Sequence, residues 1–252
     1  MTDATAVLTA VAPAAAGEFR IGRVFSRTLA LLSRNLPTYF VVTGIAALPG
    51  VLLRDGVDGS DGAVAGAAFA VFAAVLGLAL GLLSQAIVLH GAFQDMRGRP
   101  VSLVQSLRAV SNRLLVVVGL ALGMGFAVGI GFLLFIVPGF VLLTMWFVAT
   151  PACVVERLGV GASMARSSAL TEGHRWKIFG MMMLVGVVES IAGVAVKAAL
   201  GLSGNAGLIM AGMVIWSGIW GAFHAVFAVA TYHDLRVAKE GIDTEQIAAV
   251  FD

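Results

Sequence analysis

Apolar positions run along this chain in six long, nearly unbroken stretches, and the gaps between them are short. A helix needs roughly 20 apolar residues to cross the hydrocarbon core of a bilayer. The stretches therefore predict transmembrane helices over 36–53, 63–89, 114–137, 140–155, 178–200 and 206–231. Pro49-Gly50 is expected to break the first one late, Pro138-Gly139 to force a tight turn after the third, and Pro151 to kink the short fourth near its end. The expected fold class is all-α, a six-helix membrane bundle forming one domain over 18–240. A disordered tail (1–17) precedes it and a short cytoplasmic tail (241–252) follows. The Ala-rich tail lacks the basic start of a signal peptide, its one charged side chain being Asp3.

Polar positions give the bundle a direction. Of the 16 cationic residues, all but Arg54 and Lys197 fall on the same side. They are Arg20, Arg23, Arg27 and Arg34; then Arg97, Arg99, Arg108 and Arg113; then Arg157, Arg166, Arg175 and Lys177; and finally Arg236 and Lys239. Basic residues gather in cytoplasmic loops, so both termini are expected inside a bacterial cytoplasmic (inner) membrane. The first loop on the other side carries Asp55, Asp58 and Asp61.

Three basic linkers also carry apolar residues at helical spacing. They are 19–35 (Val24, Phe25, Leu31, Leu32), 101–110 (Leu103, Val104, Leu107) and 159–170 (Val160, Met164, Leu170). Each is expected to form a short amphipathic helix lying in the cytoplasmic interface, the alternative being an extension of the following span. One such helix followed by two spans, three times over, suggests a repeat. The pairs Gly62/Gly66, Gly77/Gly81, Gly119/Gly123 and Gly125/Gly129 predict close helix packing within the bundle, and the same faces can serve a homo-oligomer. Trp176 fits an interface anchor.

Composition narrows the function classes. The chain has 252 residues, 60% hydrophobic and only 12% charged. Mean hydropathy is +0.99. A soluble domain carries about a quarter charged residues, so this chain cannot coat itself for water. The basic residues flank apolar segments and form no single basic face, which argues against a nucleic-acid partner. The expected partners are membrane lipids, with a protein at the cytoplasmic face as a further candidate. A lone cysteine, Cys153, excludes an internal disulfide and a thiolate cluster. No hydrolase, zinc-protease or phosphate-loop motif occurs, and neither a metal nor a cofactor is expected. The run 55–62 imitates part of a calcium loop but lacks the closing Glu, so it reads as a solvated turn.

Candidate chemistry lies inside the membrane. Glu189 falls near the middle of the fifth apolar stretch, where a carboxylate costs a few kcal/mol or more and needs a partner or a proton. His224 in the sixth stretch lies at nearly the same depth. Gln85 and His90 near the cytoplasmic end of the second stretch are candidates to join them, and Lys197 is expected to snorkel outward. The pair is either a proton- or substrate-linked site or a structural clasp. Arg20, Arg23, Arg27, Arg108, Arg166 and Arg236 are the candidate lipid-headgroup contacts.

Three stretches carry a family resemblance. They are 19–35 with its Phe19-Arg20-Ile21-Gly22-Arg23 start; 137–173, with Val137-Pro138-Gly139, Trp146, Pro151, Glu156-Arg157 and Ala165 to Gly173; and 232–243, starting Tyr232-His233-Asp234-Leu235-Arg236. Together they resemble the membrane domain that accompanies bacterial glycerophosphoryl diester phosphodiesterases and related multi-spanning proteins. That resemblance implies a multi-pass membrane fold with no catalytic residues of its own. It places Asp234 and Arg236 near headgroups. The expected role is a non-enzymatic organiser of envelope or lipid processes; the alternative is a transporter or permease using the Glu189–His224 site.

Overall fold

The computed structural model describes residues 18–58, 63–98 and 101–241. Residues 1–17 and 242–252 of the expected tails, and Asp61 of the first outer loop, lie outside the described residues. Everything described is helix or short connection, with no strands. The helices are α1 (Ile21–Asp58), α2 (Ala63–Met96), α3 (Leu103–Ser111), α4 (Leu114–Leu134), α5 (Ile136–Met145), α6 (Ala149–Val155), α7 (Val160–Thr171), α8 (Arg175–Gly201) and α9 (Ala206–Glu240).

Among the described residues, four segments are long and apolar enough to cross a membrane: α4, α5 with α6 (Ile136–Val155), α8 and α9. Their large apolar side chains point outward. Leu115 is 88% exposed, Leu133 85% and Ile191 67%. Exposed in water, such a continuous surface would drive association; facing lipid, it is at home. The chain is a multi-pass integral membrane protein.

Helix breaks fall several residues before the prolines that cause them. The chain reverses at Phe135, whose φ of −158° and ψ of 152° are extended, not at Pro138-Gly139 as expected. Pro138 sits instead in the first turn of α5, where its missing N–H is no loss. Gly139 is required there, since a Cβ would lie 2.4 Å from the Phe132 ring. Pro151 likewise sits in the first turn of α6, after a break at Trp146–Val148. The break leaves the Met145 carbonyl without its helical partner. Ser167 and Thr171 of α7 donate to it at 2.9 and 3.2 Å. α1 runs through Pro49 to Asp58, past the expected end. The basic segment 21–34 and the first apolar stretch share this one element, bent at Asn35 two residues before Pro37.

Packing is uneven along the bundle axis. α1, α2 and α9 pack together around Leu31, Tyr39, Leu89, Ala92, Val226 and Val229. α2, α3, α4 and α6 share a second core around Ile87, Val110, Leu120 and Cys153. A third joins the start of α1 to α6, α7, α8 and α9 around Phe19, Val148, Leu170, Ile178, Phe227 and Tyr232. These cores lie at the end where the basic residues gather. α9 is buried almost continuously from Ala222 to Leu235, yet has no buried residue between Ala206 and Ser217. Beyond the shared core at the start of α1, α8 packs on α9 and α5, without an appreciable interface to α1 or α2 among the described residues.

Candidate functional site

The gap between α8 and the α1–α2 pair is a cavity of about 720 Å³. Glu189, Ser190, Gly193 and Lys197 face it from α8, and steps of three and four place these on one helical stripe. Thr43 faces it from α1, Ser84 and Gln85 from α2, Trp216 and Ser217 from α9. Gly77 and Gly81 line it too, and a Cβ on either would meet nothing within 4 Å. This glycine pair thus opens a space where close packing was expected. α9 approaches α1 closely at Gly218 and Gly221 instead, against Phe40 and Thr43. Thr43 donates to the Gly218 carbonyl at 2.6 Å.

Glu189 lies 14 residues into α8, ~21 Å along the axis at helical rise. Its Oε2 is 2.8 Å from Nε2 of His224. With Glu189 ionised, Nε2–H donates; with Glu189 protonated, the carboxyl donates to a bare Nε2. The pair can hold or pass one proton in either state. It is only half-buried, with side-chain exposures of 34% and 41% for Glu189 and His224. Trp220 stands beside the imidazole with ring centroids 6.0 Å apart. Gln85 shares the cavity; His90 does not. Five residues after Gln85, His90 is turned well around the helix. It contacts Gln94 at 3.3 Å and lines a separate 210 Å³ pocket with Arg113 and Arg157. Lys197 faces the same cavity as Glu189, two turns further along.

At the basic end several polar groups are joined in networks. Glu156 accepts from Arg166 Nε at 2.8 and 3.0 Å and from the Tyr232 hydroxyl at 2.5 Å. Arg166 also pairs with Glu240, which accepts from Arg236 at 3.0 Å. Arg236 further stacks over the Tyr232 ring. Asp234, 2% exposed, faces Arg23 at 3.3 Å and accepts from the Arg20 backbone N–H at 3.4 Å. Lys177 donates to the Phe19 carbonyl, and Arg27 lies 2.5 Å from His233 Nδ1. Arg166, Arg236 and Asp234 are thereby engaged in ion pairs within the protein. Arg20 and Arg108 are exposed, Arg108 on α3 beside exposed Leu103, Val104 and Leu107. Burial, reinforced by Lys177 and Lys239, holds His174 below the usual imidazole range.

Sequence reasoning missed the joining of Glu156 to Tyr232 and, through Arg166, to Glu240, because Glu156 is far in the chain from the two α9 residues. It also missed the hydroxyl stripe Ser163–Ser167–Thr171 on α7, which was legible as steps of four. Among the described residues no three His, Cys, Asp or Glu side chains converge on a metal position.

No family model, curated protein or solved structure matches this chain.

Proposed function

We propose that this is a six-span protein of a bacterial cytoplasmic membrane, both termini inside, that accommodates a small polar or amphipathic molecule between α8 and the α1–α2 pair. α1 and α2 supply the two further spans, and the basic end is the cytoplasmic one. α3 lies in the interface with its apolar face toward lipid. The successive pairs α1–α2, α4 to α6 and α8–α9 are the three repeats. The kinship with phosphodiesterase-associated membrane domains rests on the three stretches that carry it.

One observation supports the functional reading above the others: an open cavity reaches Glu189 at mid-helix depth. A structural clasp would sit in a dry, close-packed interface. Here the carboxylate and its histidine border space lined by Gln85, Ser190, Ser217 and Lys197. An intramembrane carboxylate beside such space is a functional site by default. The reading is therefore a transporter or permease, with the Glu189–His224 pair binding the molecule or its coupled proton. The exposed Leu103, Val104 and Leu107 of α3, next to Arg108, favour a second role, organising lipid or a partner at the cytoplasmic face.

The test is purification in native lipid, with identification of what copurifies. Glu189→Gln is expected to fold and to lose the bound molecule, or the proton dependence of its movement in proteoliposomes. Unchanged occupancy and unchanged movement would return the pair to a purely structural role.

A further inference from the structure

A second cavity, of about 430 Å³, opens at the basic end and shares no residue with the one at Glu189. Arg23, Arg27, Ala30 and Arg34 line it from α1. Their steps of four, three and four stack them in one stripe. Asp95 closes it from the end of α2, and His233 from α9.

Three guanidinium groups one turn or two apart repel one another, and like charges at such spacing destabilise a helix. The protein offsets this only in part. Asp234 pairs with Arg23, and the His233 imidazole meets Arg27. Arg34 is exposed and forms no ion pair among the described residues. A positive excess therefore lines the cavity. Guanidinium forks match phosphate oxygens in geometry as well as in charge. The opposite wall asks for something else. Oδ2 of Asp95 is buried and has no hydrogen-bond partner among the described residues. A buried carboxylate oxygen without a donor is costly, so a donor is called for at that point.

We propose that this cavity binds a phosphate ester, with its phosphate on the Arg23–Arg27–Arg34 stripe and an amine or hydroxyl of the same molecule on Asp95. The ester is either the headgroup of a membrane lipid or a free phosphate ester from the cytoplasm. Both present the same chemistry to these side chains. The site is independent of Glu189, and Glu189→Gln leaves it intact.

The experiment uses the full chain in an uncharged maltoside detergent, free of phospholipid. Occupancy by native mass spectrometry and thermal stabilisation are read with phosphatidylethanolamine, phosphatidate, diacylglycerol, free phosphoethanolamine, inorganic phosphate and chloride. Retention of the two phospholipids but not of free phosphoethanolamine assigns a lipid headgroup; the free ester binding as well assigns a soluble one. Arg34→Gln, at an exposed position outside the ion pairs, is expected to weaken every phosphate-bearing probe by ~10-fold. Asp95→Asn is expected to abolish the preference for phosphoethanolamine over inorganic phosphate. Equal retention of diacylglycerol and phosphatidate, stabilisation by chloride matching phosphate, or an Arg34→Gln variant indistinguishable from the parent would overturn the proposal.

Discussion

The basic end and the middle of this bundle treat charge in opposite ways. At the basic end, Glu156, Arg166, Tyr232, Arg236 and Glu240 bond one another in one network, and Asp234 pairs with Arg23 of α1. Halfway along the bundle, Glu189 and His224 have one another and then open space. Closed networks fix geometry, and removing a member leaves its partners stranded. A half-exposed pair fixes little. It remains free to exchange protons or partners. The difference separates a network that holds the fold from a pair available for work.

Breaking the enclosed contacts should therefore cost most. Asp234→Ala is expected to destabilise by about 2 kcal/mol, since it removes the acceptor that Arg23 and the Arg20 amide share. Detergent-phase thermal unfolding reads this as a large drop in melting temperature. Tyr232→Phe, which deprives Glu156 of one donor while keeping the ring, should cost about 1–2 kcal/mol in the same assay. Ser167→Ala should cost about 1 kcal/mol. Adding Thr171→Val is expected to cost more than the sum of the single changes, because either hydroxyl alone still serves the Met145 carbonyl. Glu189→Gln should shift unfolding by well under 1 kcal/mol while changing ligand occupancy; a loss of stability as large as that of Asp234→Ala would erase the contrast between the two regions.

The smallest effect is a pH effect at His174. Its folded-state affinity for protons is below that of the unfolded chain. The unfolded state takes the proton first as the pH falls, so stability declines below about pH 6.5 and is unaffected above it. The difference in melting temperature between the parent and His174→Gln, followed from about pH 7 to about pH 5.5, isolates this contribution. A difference that stays constant over the range would contradict it.

Much of this architecture is readable from residue order, because lipid enforces a coarse rule: long apolar runs become helices and cations collect at their ends. The starts at Ala63, Leu114 and Ala206 coincide with those of α2, α4 and α9. Local rules fared worse where a proline was read as the point of a break. Pro138 and Pro151 each sit in the first turn of a helix, and the breaks lie a few residues upstream of them. Glu189 and His224 could be paired from depth alone, and the structure puts them 2.8 Å apart. His90 was mis-grouped because depth says nothing about azimuth. The α9 members Tyr232, Arg236 and Glu240 are spaced by four, but Glu156 after α6 and Arg166 on α7 are tied to them by no spacing in the sequence. Only the folded arrangement of α6, α7 and α9 brings them together.

The final turns of α9 supply Tyr232 to Glu156, Asp234 to Arg23 and Glu240 to Arg166, and every one of these partners precedes α9 in the chain. During synthesis the earlier helices must wait, with their ionic groups hydrated or in transient pairings, until this segment emerges. The late arrival works as a keystone. An interrupted translation product ending before Tyr232 would carry the greasy exterior of the finished protein without its fastening. Membrane quality-control proteases would meet a slack, easily extracted chain.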